Sequence, residues 1–346
     1  MFGLSDRFTY MKKKVAPKII DVAKRAGVSP ATVSRVIRNS DLVKEETLQR
    51  VTTAMHELNY DFEEAFNKSQ KKVKQLAVMV PDILDPFFSL SIKGLSDIAR
   101  KHKYNIVLYN SDNSSDIEKE NIELIISSQI TGVIVVPTIV EETAYIRFNT
   151  NDIPFVFLDR YLKIENSSYV ISDDKEGAYL ATKYLLDFGH KRILYVGGDS
   201  RLSTEHNRLL GYKKALRDRS IEIDEKLIHE CEFSSKIAYE ETKKILEQRT
   251  DFSAAFGAND LIAFGIKKAL EEKGLSIPDD ISLIGYGDTP LSTYISLTTV
   301  SSPAYEMGKN AFLQLIDVVE DRVAEPHHVV LRPSVIFRST CKQKTD

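Results

Sequence analysis

The chain has 346 residues, of which 42% are hydrophobic and 28% charged, and its formal net charge is −3. This length favours two or three domains with a sizeable buried core. No apolar run approaches the roughly 20 residues that a membrane span needs, and the first residues do not resemble a secretory signal. Cys231 and Cys341 are far apart and lack metal-ligand spacing. We therefore expect a cytoplasmic protein with two free thiols and no metal or cofactor.

The charge is unevenly distributed along the chain. Residues 1–74 contain 15 Lys/Arg and 9 Asp/Glu, a net charge of +6, whereas the remainder carries −9. Only the amino-terminal part has the sign expected of a protein that binds a polyanion. A nucleic-acid contact is therefore predicted there, and the acidic remainder would help to keep the rest of the chain off DNA.

Residues 18–39, KIIDVAKRAGVSPATVSRVIRN, contain two short segments in which apolar residues recur at helical spacing. Gly27 suits the end of the first helix, where a positive φ is needed. Ser29 is a favourable N-cap and Pro30 fits the first position of the second helix. The pattern predicts a helix, a tight turn and a second helix.

A helix-turn-helix places the amino-terminal residues of its second helix in a DNA major groove. Arg35 could donate two hydrogen bonds to a guanine edge, and the short hydroxyl side chains suit phosphate. A small helical hairpin with a solvated face is the alternative. The candidate DNA-binding residues are Ser29, Pro30, Ala31, Thr32, Ser34, Arg35 and Asn39.

The string DVAKRAGVSPATVSR closely resembles the head of the lactose/galactose repressor (LacI/GalR) family of bacterial regulators. Residues 43–60, VKEETLQRVTTAMHELNY, resemble the third helix of that head. Lys18 and Lys44 stand where the family usually has a serine or threonine cap. The resemblance implies a DNA-binding transcriptional regulator, most simply a repressor, that acts as a homodimer on a near-palindromic operator.

Residues 61–74, DFEEAFNKSQKKVK, occupy the place of the family's hinge, which folds on DNA and inserts a leucine into the minor groove. The usual proline, arginine and leucine are absent, and Glu63 and Glu64 would repel phosphate. Phe66 as a substitute wedge and a plain flexible tether both remain open.

From residue 75 onward, short apolar runs alternate with helical stretches, as expected for strands buried on both faces. Two successive series predict two doubly wound parallel sheets with a cleft between them. The predicted strands are 76–80, 106–109, 133–136 and 155–158, followed by 193–196, 227–229, 254–256 and 283–286.

This α/β part resembles the family's effector domain, whose fold is that of periplasmic sugar-binding proteins. The resemblance implies a small-molecule effector, most simply a sugar or sugar derivative, bound between the lobes. The predicted divisions are a disordered leader 1–17, a helix-turn-helix domain 18–60, a hinge 61–74, a first lobe 75–172 plus 301–328, and a second lobe 173–300 plus 329–340.

Ligands of such folds bind beyond the carboxyl ends of the strands, so the residues that follow each strand are candidates. Arg208 matches the family's R-x-x-G position, and Asn259 lies in GANDLIAFG, close to its ANDxxAxG. Asp82 as a turn former, Asp260 as a helix cap and Phe233 as a core residue are alternatives. The candidate effector-binding residues are Asp82, Phe87, Asp159, Arg208, Phe233, Asn259 and Asp288.

One departure from the family's sequence pattern bears on the identity of the ligand. The family's G-[YF]-D-D reads Gly-Tyr-Gly-Asp at 285–288, so glycine replaces an aspartate that commonly contacts the effector. A sugar, a sugar acid, a phosphorylated sugar, a nucleobase-like ligand and a protein corepressor all remain open. A sugar-binding protein without DNA binding is a weaker alternative. An enzyme is not expected, because G-x-S-x-G, H-E-x-x-H and a phosphate loop are absent.

We predict that Arg35 reads a base. Arg35→Ala should weaken binding to the cognate site by roughly 1–3 kcal/mol and relax the preference at one position. Fluorescence anisotropy on a set of singly substituted operators measures both effects. Equal weakening on all sequences would instead make Arg35 a phosphate contact.

Overall fold

The structure is a computed structural model that describes residues 17–38, 43–58, 60, 74–138, 141–320, 322 and 325–344. The chain divides after Val73 into two compact units. Among the described residues, no helix has the length and apolar character of a membrane span. The predicted hinge, apart from Lys74, and the predicted leader, apart from residue 17, lie outside the described residues.

The first unit contains three helices around a small apolar core. They are α1 (Ile19–Ala26), α2 (Pro30–Arg38) and α3 (Glu45–Glu57). The core residues with the least exposure are Val22, Val33 and Val51. Gly27 ends α1 with a φ of 66°, as the sequence predicts. The Asp21 carboxylate accepts the backbone N–H of Lys18 at 2.8 Å, which supplies part of the cap that the lysine side chain lacks.

Arg50 of α3 fixes the turn between the first two helices. Its guanidinium donates to the carbonyl oxygen of Ala26 at 2.7 Å and to that of Gly27 at 2.9 Å. These carbonyls end α1 and have no partner within the helix, so a cation is favourable there. The orientation of α2 therefore depends on a side chain from the third helix.

The second unit contains two six-stranded sheets. The first has the order β11-β5-β4-β3-β1-β2 and the second the order β12-β10-β9-β8-β6-β7. All described pairings are parallel except that of β12 with β10. The strands are β1 (Gln75–Val80), β2 (Asn105–Asn110), β3 (Gly132–Val135), β4 (Phe155–Leu158), β5 (Ser168–Ser172), β6 (Ile193–Gly197), β7 (Ile228–Glu230), β8 (Ala254–Gly257), β9 (Ser282–Gly287), β10 (Thr298–Ser301), β11 (His328–Leu331) and β12 (Ser334–Ile336).

Helices cover both faces of each sheet, which confirms the predicted doubly wound α/β class. Apolar clusters lie on the two sides of the first sheet, and one large cluster surrounds the second. The helices are α4 (Pro86–Lys101), α5 (Ser115–Ser127), α6 (Glu142–Thr150), α7 (Asp174–Asp187), α8 (Ser203–Asp218), α9 (Ser235–Gln248), α10 (Asp260–Glu272), α11 (Pro290–Tyr294) and α12 (Ala304–Val319).

The chain passes between the two sheets three times. It leaves the first sheet after Ser172, returns after Ser301, and crosses again after Leu331. The boundary predicted after residue 328 is therefore too early. The reason is that β11 extends the parallel ladder of β5 from His328 to Leu331.

Candidate functional site

The described part of α2 and its preceding turn form an exposed polar surface. Ser29, Pro30, Ala31 and Arg35 are exposed, whereas Thr32 and Ser34 are half-buried. The Ser29 hydroxyl accepts the backbone N–H of Thr32 at 3.1 Å, so Ser29 is the N-cap that its sequence predicts. Asn39 lies outside the described residues. The surface presents Arg35 on the outer face of the second helix.

A narrow cleft lies at the carboxyl ends of the strands of both sheets, with about 440 Å³ of empty space when the open solvent at its mouth is included. Five predicted effector-binding residues, Phe87, Asp159, Arg208, Phe233 and Asn259, line this cleft together. The complete lining is Asp85, Phe87, Phe88, Asp159, Arg160, Thr204, Arg208, Phe233, Asn259, Asp260, Leu261, Tyr286, Gly287 and Thr289.

Two predicted effector-binding residues, Asp82 and Asp288, do not line the cleft. Asp82 accepts the backbone N–H of Leu84 at 2.8 Å, in the turn-forming role that was its alternative. Asp288 lies 2.6 Å from the Arg338 guanidinium and has a φ of 54°. Because Gly287 before it has a φ of 131°, the backbone turns here and carries the Asp288 side chain to Arg338.

Arg208 is a buried guanidinium fixed from several sides. It lies 2.8 Å from a carboxylate oxygen of Asp174 and donates to the Ala258 carbonyl at 2.9 Å. Its carbon also lies 4.0 Å from the centroid of the Tyr286 ring. Burial disfavours its charge, but Asp174, Tyr286 and Asp159 outweigh that cost and raise the pKa of Arg208 above its usual value. Arg208 is therefore a fixed cation in the wall of the cleft.

Asn259 and Asp260 have roles that differ from those predicted from the sequence. Asn259, not Asp260, is the N-cap of α10, and its Oδ1 accepts the backbone N–H of Ile262 at 2.8 Å. The amide nitrogen of Asn259 keeps two N–H donors beside the cavity. Asp260 is 1% exposed and binds residues of the β9–α11 turn and of β10.

Arg160 joins the two sides of the cleft and is not one of the seven predicted effector-binding residues. Its guanidinium lies 5.9 Å from the Phe88 ring centroid and 5.3 Å from that of Phe233, which comes from the second sheet's side. Within the described part of the chain, the buried Nε of Arg160 has no hydrogen-bond partner. An unpaired buried donor is costly, so this atom is available to a ligand. Its position directly after β4 and beside Asp159 was the available sequence signal.

A backbone hydrogen bond also links the two sides of the cleft. The N–H of Tyr161, after β4 of the first sheet, donates to the Ser203 hydroxyl at the start of α8 at 3.0 Å. Together with the contact between Arg160 and Phe233, this bond holds the lobes around the cavity. The structure thus describes a closed cleft.

Four buried carboxyl groups in or beside the cleft have raised pKa values, and burial raises that of Asp174 as well. Burial raises the pKa of Asp85 to about 6 and that of Glu205 to about 7. Burial and the nearby Asp174 carboxylate raise the pKa of Asp159 to about 7. Low-dielectric surroundings disfavour the ionised form, and the two arginines offset this only in part. Hydrogen-bond donors on a ligand would stabilise the ionised form of these carboxyl groups.

The cleft therefore offers free acceptors, free donors and aromatic faces. Asp85 and Asp159 accept hydrogen bonds, and Arg160 and Asn259 donate them. Phe87 and Phe233 supply apolar ring surfaces from opposite lobes. This combination matches a ligand that has polar edges and apolar faces.

Comparison with known sequences gives the class of protein. The pattern of bacterial regulatory proteins of the lacI family matches residues 18–61, and that of a periplasmic binding protein-like domain matches residues 182–341. The HTH-type transcriptional repressor PurR of Vibrio atlanticus is 34% identical over 94% of this chain and 98% of its own length. The ribose operon repressor of Halalkalibacterium halodurans is 31% identical over 94% and 97%. The protein is thus a DNA-binding transcriptional regulator with an effector domain.

Solved structures agree with this class. The lac repressor dimer bound to operator is 25% identical, with a TM-score of 0.72, over 95% of this chain and 100% of that one. A LacI family regulator from Enterococcus faecium with bound ribose is 29% identical, with a TM-score of 0.71, over 79% and 100%. The chain belongs to the LacI family of bacterial regulators, as the sequence resemblance predicted.

The raised pKa of Asp159 predicts a pH-dependent stability. In the unfolded chain this carboxyl loses its proton near 3.8, whereas the folded protein keeps the proton until about pH 7. Between these values the unfolded state binds fewer protons, so stability falls as pH rises. Wild type should therefore lose stability relative to Asp159→Asn between pH 4 and pH 7, followed by a constant difference. The exposed Asp152→Asn is the control; urea unfolding that shows the same trend for both variants would contradict the assignment.

Proposed function

We propose that this protein is a transcriptional repressor that binds a near-palindromic operator as a homodimer and responds to a small neutral sugar in its cleft. It works in the cytoplasm on nucleoid DNA and is not an enzyme. The observation that carries the effector class is the set of unsatisfied polar groups in the cleft, which requires donors and acceptors on one ligand. The name of one relative, a ribose operon repressor, supports the same class.

Sugar hydroxyls satisfy the cleft because each both donates and accepts. They can donate to Asp85 and Asp159 and accept from Arg160 and Asn259, while the carbon faces of the ring contact Phe87 and other aromatic rings. A flat heterocycle such as a nucleobase has fewer groups that can both donate and accept a hydrogen bond. A nucleobase-like ligand is therefore the second candidate.

An anionic effector is disfavoured by charge. Arg208 already binds Asp174 and the Ala258 carbonyl, and Arg160 donates to the Pro137 carbonyl at 3.3 Å. The remaining charged groups on the wall are carboxyls. The lining has three carboxyl groups, Asp85, Asp159 and Asp260, against two arginines, of which Arg160 keeps one unpaired donor, so burying a further negative charge is costly. Sugar acids and phosphorylated sugars thereby become weaker candidates.

The closed cleft is narrow. The centres of water-sized spheres can occupy only about 30 Å³ of it, which is room for about two waters. A ligand must therefore be small, and the lobes must open to admit it. A monosaccharide of pentose or hexose size is the effector that we propose.

Effector and operator must change each other's affinity by the same factor, because coupling is reciprocal. The route runs from lobe closure through residues 61–74, the predicted hinge. Regulation by a protein corepressor is the alternative if no small molecule binds.

We predict that D-ribose raises the melting temperature of the full-length protein, whereas D-ribose 5-phosphate and D-gluconate at equal concentration do not. Arg208→Lys should abolish the D-ribose shift, because lysine cannot contact Asp174 and Ala258 together in the same geometry. Differential scanning fluorimetry measures all shifts. Arg201→Lys, on an exposed arginine paired with Asp199, is the control and should respond as wild type does.

A response of Arg208→Lys equal to that of wild type would contradict the cleft assignment. Shifts by the anionic sugars alone would contradict the neutral effector. If no sugar shifts the melting temperature, a panel of purine bases tests the second candidate.

The dimer surface that we propose includes α4 and the adjacent β2, both in the first lobe. β2 is the edge strand of its sheet, and Leu108 on it is 43% exposed. Leu84, just before α4, is 82% exposed. Unpaired strand edges with exposed apolar side chains favour association with another chain.

We predict that the full-length protein sediments as a dimer and that Leu108→Lys shifts it towards monomer, because a buried, unpaired lysine would oppose association. Sedimentation velocity at micromolar concentration measures the shift. Leu124→Lys, at a 55% exposed leucine on α5, is the matched control and should leave the dimer unchanged. A monomeric wild type would contradict the homodimer.

A further inference from the structure

The closed cleft can take up an effector only if contacts between its two lobes break. With room for about two waters while it is closed, it cannot admit a sugar ring. Two described contacts join the lobes beside it. The Tyr161 N–H donates to the Ser203 hydroxyl at 3.0 Å, and the Arg160 guanidinium lies 5.3 Å from the Phe233 ring centroid. Both contacts must separate when an effector enters and form again around it, so their strength affects the free energy of the closed, bound form.

A strained turn directs the donor of this hydrogen bond. Asp159 has a φ of 64°, and the Arg160 N–H donates to the Leu158 carbonyl at 2.7 Å, which closes a γ-turn directly after β4. The Asp159 N–H donates to the Val170 carbonyl at 2.9 Å, which ties the turn to β5. Asp159 and Arg160 line the cleft, whereas the next N–H, that of Tyr161, reaches the second lobe. One turn thus positions two cleft-lining side chains and the donor between the lobes.

Aromatic stacking also holds Tyr161. The centroid of its ring lies 4.7 Å from that of Tyr169 on β5. The Tyr169 ring in turn lies 4.0 Å from the His328 ring of β11, at an interplanar angle of 7°. Both strands belong to the first sheet. The first lobe therefore fixes the Tyr161 segment by itself, so that forming the hydrogen bond to Ser203 orders little additional chain.

Ser203 is the second lobe's partner in this hydrogen bond and does not line the cleft. It is the first residue of α8, and Thr204 and Arg208 of the same helix do line the cleft. Leu202, not Ser203, occupies the N-cap position of α8. A change of the half-buried Ser203 side chain can therefore alter lobe closure without removing a cleft-lining group or a helix cap.

We propose that Ser203 is a positioning residue for effector binding, whose hydroxyl accepts the Tyr161 N–H when the lobes close and so stabilises the bound form from outside the cleft. The inference rests on the proposed function, because it concerns how the same cleft retains its sugar. Water can satisfy the Tyr161 N–H once the lobes separate. Loss of the Ser203 hydroxyl therefore disfavours the closed form alone and weakens effector binding.

The test is isothermal titration calorimetry of D-ribose with full-length wild type, Ser203→Ala and Ser203→Thr. Ser203→Ala should bind D-ribose about fivefold more weakly, because closure loses one hydrogen bond. Ser203→Thr keeps a hydroxyl and should bind within about twofold of wild type. Ser200→Ala, at a half-buried serine of the same β6–α8 loop, is the matched control and should bind as wild type does. Equal affinities of Ser203→Ala and wild type, or equal losses in the alanine and threonine variants, would overturn the inference.

Amide hydrogen exchange at Tyr161 measures the bond itself and needs no effector. Mass spectrometry of a peptide that includes residue 161 should show faster exchange in Ser203→Ala than in wild type, and wild-type exchange in Ser203→Thr and Ser200→Ala. If D-ribose does not bind wild type, the proposed function fails and these exchange rates decide the role of Ser203. Equal exchange in wild type and Ser203→Ala would overturn the inference in either case.

Discussion

The buried ion pair between Arg208 and Asp174 is the interaction on which the effector domain's cleft depends. Asp174 opens α7 directly after the chain leaves the first sheet, and Arg208 lies on the neighbouring α8. The same guanidinium binds the carbonyl after β8 and covers the Tyr286 ring of β9. One cation therefore connects a crossing between the lobes with the rim of the second sheet. Removing either partner would leave a buried charge unpaired, which typically costs several kcal/mol.

The cleft contains two kinds of buried carboxyl group with different consequences. Asp260 receives four hydrogen bonds from residues of its own lobe and so fixes the loop that follows β9. Asp85 and Asp159 receive few, and their raised pKa values reflect burial without full compensation. A buried carboxylate that receives several hydrogen bonds stabilises the fold. One that receives few is unfavourable to bury, and hydrogen bonds from a ligand reduce that free-energy cost. Asp260 therefore serves the fold, whereas Asp85 and Asp159 remain available to a ligand.

The DNA-binding unit depends on a comparable fixed contact. Its helices are short, and short helices are marginal on their own. Arg50 ties α3 to the carbonyls of Ala26 and Gly27, so the turn before α2 cannot rotate freely. The predicted base contact of Arg35 requires its side chain to approach a groove at a defined angle. A side chain far from the reading surface thus contributes to its geometry.

The sequence by itself determined the helix-turn-helix, because caps and glycine turns act between neighbouring residues: Gly27 and Ser29 do what their types predict. It also determined the α/β class, since buried parallel strands are continuous apolar runs. The strands β5, β10, β11 and β12 gave no such signal. β5 and β10 are interrupted by serines and threonines, and β11 and β12 are partly exposed edge strands. Only the tertiary structure decided which polar residues meet. In the folded chain, Asp288 pairs with Arg338 and does not line the cleft. Asn259 caps α10, and Asp260 accepts hydrogen bonds from the loop after β9. The Arg160 guanidinium lies near the Phe88 and Phe233 rings. Those outcomes depend on partners that are distant in sequence, so spacing along the chain could not reveal them.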